Sequence, residues 1–445
     1  MLIGAALMLW PAIINGYPLL FVDSTAYFLH TLNGEAPWDK TAAYGPFLQL
    51  FHQGVSLWFP LAAQGVILST LLWWTQRVAC GTVTPGRHLA LVAGLAAFSS
   101  MPWFTAILMP DALTPVFVLC LFLLGFGEAR LGRWEMWAAG VMGAVAIASH
   151  LSHLPTALAL VVLIALVRRA FWPVLRGALP FVAAIAFLFG ANAHAFGRVT
   201  LSANGAVFLL ARLQEDGPAL WTLRDRCPAS GWYLCDFIER MPMDSDHFLW
   251  SPEGPPNRDA AGTPIPLGGA RLAPEAREIV SATLRAYPLD VAWIALGNGF
   301  RQIFKVRLGD TLDGADLDQF GEQVLARGFA AGEQPALAAS RQMQGELAAL
   351  GNRFVPLHTM VLMLSLALLL LAGWRMARRH GDLPGLGLLL CLLVGCVGNA
   401  FATGALSKPH DRYQARIVWL LPLGAALLTR RFGRVPVPPA AVEPR

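Results

Sequence analysis

Long apolar runs recur along the chain and are separated by polar stretches of very different length. About 20 apolar residues in a helix cross the ~30 Å hydrocarbon core of a bilayer, and a soluble core seldom needs one such run. The pattern therefore predicts an all-α polytopic membrane protein with about ten transmembrane helices. The predicted spans are residues 2–20, 58–77, 88–108, 112–127, 134–150, 154–169, 174–196, 354–375, 383–406 and 414–430.

Arginine residues gather at the ends of alternate spans and predict the orientation. Cytoplasmic loops of membrane proteins carry an excess of Lys and Arg, so a chain with about ten spans would place all of these clusters, and both termini, in the cytoplasm. The sequence thus predicts a multi-pass protein of the bacterial inner (cytoplasmic) membrane. The clusters are Arg77 and Arg87; Arg130 and Arg133; Arg168, Arg169 and Arg176; Arg375, Arg378 and Arg379; and Arg430, Arg431 and Arg434.

This topology divides the chain into three parts. Residues 1–197 form a seven-span module, whose first outer loop is residues 21–57. Residues 198–353 are rich in Pro, Gly and charge, and we expect a large periplasmic domain of mixed structure there. Residues 354–445 form a three-span module with a cytoplasmic tail.

One further segment, residues 287–306, is moderately apolar but also carries Arg301 and Lys305. If it crossed the membrane, the cluster at Arg375 would lie outside, against the positive-inside rule. We therefore predict a helix that lies in the membrane interface.

Composition argues against a nucleic-acid partner. Only 14% of residues are charged, and the net charge of +5 comes from arginines at the ends of apolar runs, where they orient the chain and contact lipid. Nucleotide-binding and hydrolase signatures such as GxGxxG, GxxxxGK[ST], GxSxG and HExxH do not occur, so nucleotides are not expected as substrates. Cys227 and Cys235 lie in a polar stretch and can form a disulfide in an oxidising compartment.

Two acidic residues stand out at the predicted outer ends of spans. Asp23 follows the first span in FVDSTAYF, and Asp111 follows Pro110 between spans three and four. Burial at a membrane boundary tends to raise the pKa of a carboxyl group and can suit it to base chemistry. The alternative for both residues is N-capping of the following helix. Tyr27, in the same motif as Asp23, is a candidate substrate contact.

His150 and His153 flank a short outer turn and are candidates for contacting a phosphate or a sugar. Their spacing also fits a helical metal pair, but no carboxylate accompanies them in that turn. We expect no metal or other cofactor, and a divalent cation has little support. Placement at the membrane interface is the simpler alternative.

The last outer loop has the densest set of polar groups. Positive charge on the outer face runs against the usual bias and so favours a functional role, with arginine able to bind a phosphate through two hydrogen bonds. The alternative is a generic anchoring loop. The candidate substrate-binding residues are Lys408, His410, Arg412 and Tyr413, beside Asp411 and Arg416, with Arg301 and Lys305 from the interfacial helix.

In these features the chain resembles the membrane glycosyltransferases of the C superfamily (GT-C), which include protein O-mannosyltransferases and lipid A aminoarabinose transferases. Asp23 opens the first outer loop, Asp111 lies at the turn between spans three and four, and a seven-span module precedes a large outer region. The first loop has Asp-Ser in place of paired acids, and the second site has one acid where metal-dependent members carry two.

The resemblance implies transfer of a sugar from a polyprenyl-phosphate donor to a glycan, lipid or protein acceptor on the outer face. Asp23 would act as the base or orient the acceptor, and Lys408, Arg412 and Arg301 would stabilise the leaving phosphate. Alternatives from other classes are an O-antigen polymerase or ligase, an acyltransferase, a transporter of lipid-linked saccharides, and a scaffold protein. A transporter is disfavoured because no repeat and almost no mid-span charge are present.

Overall fold

A computed structural model describes residues 1–378 and 382–432 of the chain. Throughout these ranges the protein is helical and contains no β-strand. The helices of the N-terminal part are α1 (Leu2–Met8), α2 (Trp10–Asn15), α3 (Ser24–Asn33), α4 (Tyr44–His52), α5 (Trp58–Cys80), α6 (Pro85–Phe98), α7 (Met101–Thr105), the 3₁₀-helix η1 (Pro110–Leu113), α8 (Thr114–Phe126), α9 (Arg133–Ala148), α10 (His153–Arg168) and α11 (Phe171–Phe196).

The region between the two groups of predicted spans is also built from helices, so the expectation of a mixed domain is wrong for the described residues. Its elements are α12 (Gly205–Asp216), α13 (Pro218–Arg226), η2 (Tyr233–Arg240), α14 (Ser245–Trp250), α15 (Gly268–Ala286), α16 (Pro288–Ile303), η3 (Gly309–Leu312), η4 (Ala315–Leu317), α17 (Asp318–Gly328) and α18 (Glu333–Ala338). The C-terminal helices are α19 (Glu346–Arg378), α20 (Leu383–Leu406), α21 (Asp411–Val418) and α22 (Leu420–Phe432).

Three of the described helices, α11, α19 and α20, are long and apolar enough to cross a membrane. The pair α15 and α16, bent by 101°, would count as a fourth if it were one broken span. These helices suggest a membrane protein, and α20 has the bounds predicted for the ninth span. The helical class is confirmed, whereas the count of about ten spans stays a prediction. Arg379, Arg434 and the tail 433–445 lie outside the described residues.

Several predicted spans are interrupted in the structure. The first ends early, because Gly16 closes α2 in the left-handed conformation, which glycine adopts at little cost. The third is broken at Ser99, which is extended between α6 and α7. The fourth begins in the 3₁₀-helix η1. The breaks leave two short extended segments, and these determine where Asp23 and Asp111 lie.

Several of the predicted cytoplasmic arginines meet at one end of the helices. Arg77 pairs with Glu135, while Arg168 and Arg176 both pair with Glu128. These contacts connect segments that are far apart in sequence, and they bring arginines from two of the predicted cytoplasmic connections to acidic residues of a third.

Residues 198–353, the predicted outer region, are divided between two hydrophobic cores. Residues from Val207 to Val280 form a core of their own, and the disulfide Cys227–Cys235 lies beside it. Residues from Leu308 to Leu347 instead pack into the large core of the N- and C-terminal helices. Gln342 belongs to this second group, and its side-chain amide hydrogen-bonds to both the N–H and the carbonyl of Leu20.

Candidate active site

Asp23 and Asp111 are brought together by the two extended segments between the broken helices. Leu19 and Ile107 form a parallel β-bridge, in which Leu19 N donates to the carbonyl of Ala106 at 3.0 Å. Ser24 Oγ adds a bond of 2.9 Å to the carbonyl of Leu108. Each carboxylate follows its segment by a few residues, so the pairing places them near each other.

Neither carboxylate acts as a helix cap. Asp23 lies at the N-cap position of α3, but within the described chain its side chain makes no bond to the helix amides. Asp111 lies inside η1, and the N-cap of α8 is Leu113. The capping alternative is therefore wrong for both, and their partners are cations.

Arg412 of α21 lies between the two carboxylates. Its Nη2 lies 3.9 Å from Asp23 Oδ2, and its Nε lies 3.6 Å from Asp111 Oδ1. Arg416, one helical turn later on the same face, places Nη1 3.4 Å from the same oxygen of Asp111. The side chain of Asp111 is 1% exposed and that of Asp23 is 29% exposed. Of the two carboxylates, only Asp23 can therefore meet a substrate without rearrangement.

The buried side of the site holds Arg416 in place. Its Nη2 donates to Ser152 Oγ at 3.1 Å and to Asn399 Oδ1 at 2.9 Å. A buried charge is tolerated when it is paired and hydrogen-bonded, and Asp111 supplies the opposite charge. Asp111 and Arg416 thus fix the position of Arg412, whose guanidinium also lies 4.1 Å from the centre of the Phe21 ring.

Lys40 belongs to the site and was missed by the sequence prediction. Its Nζ lies 3.1 Å from Asp23 Oδ1 and also pairs with the neighbouring Asp39. Burial lowers the pKa of this ammonium, but the two carboxylates outweigh burial and raise the pKa above its usual value. The chain has three lysines, Lys40, Lys305 and Lys408, all in predicted outer segments. That bias was a signal that could have identified Lys40.

Residues of the predicted outer region position Lys40 through the nearby Trp38. The indole stacks on Phe208 with 5.7 Å between ring centroids, and the Trp38 carbonyl accepts from Asn204 Nδ2 at 2.9 Å. The ring also packs directly on Gly269, where a Cβ would lie 2.2 Å from an indole carbon. This loop conformation therefore requires glycine at position 269.

The charge state of Asp23 differs from the expectation. Burial does tend to raise its pKa, but the charges of Lys40 and Arg412 together outweigh burial and hold the pKa below its usual value. Asp23 is therefore an anion at neutral pH. Burial, and then the charge of Asp23, raise the pKa of Tyr27 well above its usual value, so this phenol stays protonated. The Tyr27 ring packs edge-on against Tyr44.

His150 and His153 lie on the buried side of the charged cluster. Both ring nitrogens of His153 have partners, because Nε2 lies 2.8 Å from Thr114 Oγ1 and Nδ1 lies 2.7 Å from the carbonyl of Ala146. His150 Nδ1 bonds to Ser152 Oγ, the group that also contacts Arg416. Within residues 1–378 and 382–432, no group of three or more His, Cys, Asp or Glu side chains could hold a metal ion.

The other predicted phosphate ligands have protein partners. Lys408 pairs with Asp244 and Asp246, and His410 Nε2 lies 3.2 Å from Asp246 Oδ2. Tyr413 packs beside Arg412, with 5.2 Å from the guanidinium to its ring centre.

The two basic residues of the interfacial helix are not part of this cluster as the chain is folded. Arg301 bonds to Asn298, which in turn donates to Asp216, and Lys305 is exposed. Of the predicted basic substrate ligands, Arg412 alone contacts Asp23.

No family model, curated protein or solved structure was found to match this chain.

Proposed function

We propose that this protein transfers a sugar from a polyprenyl-phosphate donor to an acceptor hydroxyl or amine at the outer face of the bacterial inner membrane. The main support is the position of Arg412, which lies against both Asp23 and Asp111. A carboxylate and a cation at one partly exposed place are the two groups that such a transfer requires.

In the proposed reaction the acceptor oxygen or nitrogen forms a bond to the anomeric carbon while the bond from that carbon to the phosphate oxygen breaks. Asp23 orients the acceptor and takes its proton, which becomes acidic as the new bond forms. The leaving phosphate keeps the electron pair, and Arg412 and Lys40 stabilise its negative charge. Asp111 and Arg416 position Arg412 and do not touch the substrate.

The proposed placement in the membrane has about ten spans, cytoplasmic termini and an outer active site. Support comes from the arginines that meet around Glu128 and Glu135, which suit the cytoplasmic face. The disulfide Cys227–Cys235 suits an oxidising compartment such as the periplasm. Helix α16 has a strongly exposed apolar stripe that suits contact with lipid: Leu289, Trp293, Leu296 and Phe300, followed by the exposed Phe304 directly after the helix.

A small pocket of mixed lining lies near the charged cluster. Its lining includes Ser99, His358, Leu362 and Trp419, and its volume of about 20 Å³ has room for a water molecule and none for a polyprenyl chain. Trp419 Nε1 donates to the carbonyl of Arg416, so the pocket lies next to the segment that carries the cluster. We expect membrane lipids as further partners, and neither nucleic acid nor a metal cofactor.

The test is transfer of a radiolabelled sugar from a short-chain polyprenyl phosphate by the purified protein in liposomes. We expect Asp23→Asn to lower the rate constant of transfer by at least about 100-fold, the usual contribution of a general base. Asp225→Asn, which changes the same charge at an exposed position of the outer region, should leave the rate unchanged. Full activity of Asp23→Asn would refute the proposed role, and dependence on a pyrophosphate-linked oligosaccharide would favour a polymerase or ligase.

A further inference from the structure

Helix α14 connects the two outer loops that hold the candidate site. Near its beginning, Asp246 Oδ2 lies 3.3 Å from Lys408 Nζ in the last outer loop. At its end, the ring of Trp250 lies 5.7 Å from Nζ of Lys40 in the first outer loop. Lys40 in turn contacts Asp23 at 3.1 Å. This short helix therefore lies against the same loops that a substrate must approach.

The contact with the last loop is a salt-bridge cluster of Asp244, Asp246, Lys408 and His410. Lys408 pairs with both carboxylates, and His410 pairs with Asp246. The backbone of His410 is fixed from the other side by Gln302, whose side chain donates to its carbonyl at 2.7 Å and accepts from its N–H at 2.9 Å. The loop that carries Lys408 and His410 is thus held in place, and both side chains already bind the carboxylates of Asp244 or Asp246.

A phosphate monoester can take the place of these carboxylates. Its oxygens accept a charge-assisted hydrogen bond from the Lys408 ammonium and a hydrogen bond from a ring N–H of His410. All four side chains of the salt-bridge cluster keep at least a quarter of their surface exposed, so solvent and anions reach them. Ion pairs of this kind contribute little net free energy, and a competing anion can displace them.

We propose that α14 is an internal competitor of the lipid phosphate that leaves in the transfer: the carboxylates of Asp246 and of the N-cap residue Asp244 hold Lys408 and His410 until a phosphate monoester displaces them and releases the helix from the site. This inference rests on the proposed function, because it concerns access to the same site. It also gives Asp244 and Asp246 a role in phosphate recognition.

Removal of the two acidic side chains should strengthen ligand binding, whereas removing side chains from a binding site usually weakens it. If a protein binds its ligand only in an open state, its apparent affinity is the intrinsic affinity multiplied by the fraction of molecules that are open. If about one molecule in ten is open, the variant Asp244→Asn/Asp246→Asn should bind about tenfold more tightly than the wild type. Asparagine still caps α14, so the helix should keep its start.

The experiment measures equilibrium binding of dodecyl phosphate and of inorganic phosphate to the full-length protein in detergent. The matched control is Asp225→Asn/Asp236→Asn, which removes two exposed charges from the same region and should bind like the wild type. Lys408→Gln added to the first double variant should abolish the gain. A gain for dodecyl phosphate alone identifies a lipid headgroup as the ligand, and a gain for both identifies the phosphate itself.

Equal or weaker binding by Asp244→Asn/Asp246→Asn, a matching gain in the control, or no binding by any form would overturn the proposal. If the double variant does not fold, Asp246→Asn alone tests whether loss of a competing carboxylate strengthens phosphate binding, because the N-cap residue Asp244 is then unchanged. Asp23 is intact in all of these variants, so their failure would not bear on the loss of transfer expected for Asp23→Asn.

Discussion

Arg416 Nη1 lies 3.4 Å from Asp111 Oδ1, and both side chains are almost completely removed from solvent. The two residues come from distant parts of the sequence, α21 and the 3₁₀-helix η1. Arg412 reaches the same carboxylate oxygen at 3.6 Å, so the buried pair determines where the cation of the proposed active site lies.

Loss of the carboxylate at position 111 should therefore destabilise the protein. Asp111→Asn leaves a buried arginine without its opposite charge, which typically costs about 3–5 kcal/mol. We expect a clear fall in the melting temperature in a fixed detergent. Glu346→Gln removes one partner of the exposed pair with Arg341 and should change the melting temperature little. Equal melting temperatures for Asp111→Asn and the wild type would show that the buried pair does not stabilise the fold.

The packing of Trp38 on Gly269 should be required for transfer. Gly269→Ala places a methyl group against the indole, which must move and take the Lys40 segment with it. A displacement of about 1 Å at a reacting group can lower the rate 100-fold, so we expect a fall of about tenfold to 100-fold in the transfer rate. Gly86→Ala, where a Cβ meets no atom within 4 Å, is the control. An unchanged transfer rate in Gly269→Ala would show that the packing of Trp38 on Gly269 does not position Lys40.

The pH dependence of transfer should depend on Lys40. Because the pKa of Asp23 is lowered in the folded protein, its ion pairs are present above its usual value of 3.8 and are lost as the pH falls through the lower folded value. Lys40→Met removes one of the two cations that oppose burial, so the pKa should rise and the acid limb of the pH–rate profile should move to higher pH. Lys305→Met removes an exposed lysine and should leave the acid limb where it is in the wild type. An acid limb that does not move in Lys40→Met would contradict the assignment of that limb to Asp23.

Apolar periodicity predicted some elements well and others poorly, for identifiable reasons. Helix α20 is one continuous apolar helix, and its predicted bounds match the structure. The break at Ser99 was missed because the apolar run continues through it, and an average over a long window does not register one extended residue.

The candidate site was predicted only where a single position was unusual by itself. Asp23 and Asp111 stand out as acids at the ends of apolar runs. Lys40 stands out only as one of the chain's three lysines, and its importance lies in the distance to Asp23, which depends on how the first loop folds. Likewise, Lys408 and His410 belong to an unusually polar loop, but their pairing with Asp244 and Asp246 bridges more than 160 residues of sequence. Local sequence contains no information about such a partner.

The orientation of the outer region can be tested without a substrate. A membrane-impermeant maleimide should label Arg258→Cys in cells whose outer membrane has been opened, because residue 258 lies in the predicted periplasmic region. Arg378→Cys, at the end of α19, should react only after the inner membrane is permeabilised. Labelling of Arg378→Cys from outside would contradict the predicted orientation and the count of spans.

The most direct test of the account is an experimental structure of the full-length protein with a short-chain polyprenyl phosphate. We expect the phosphate within hydrogen-bond distance of Arg412 and beside Asp23. A phosphate bound elsewhere, or a structure in which Asp23 and Arg412 lie far apart, would contradict the proposed active site.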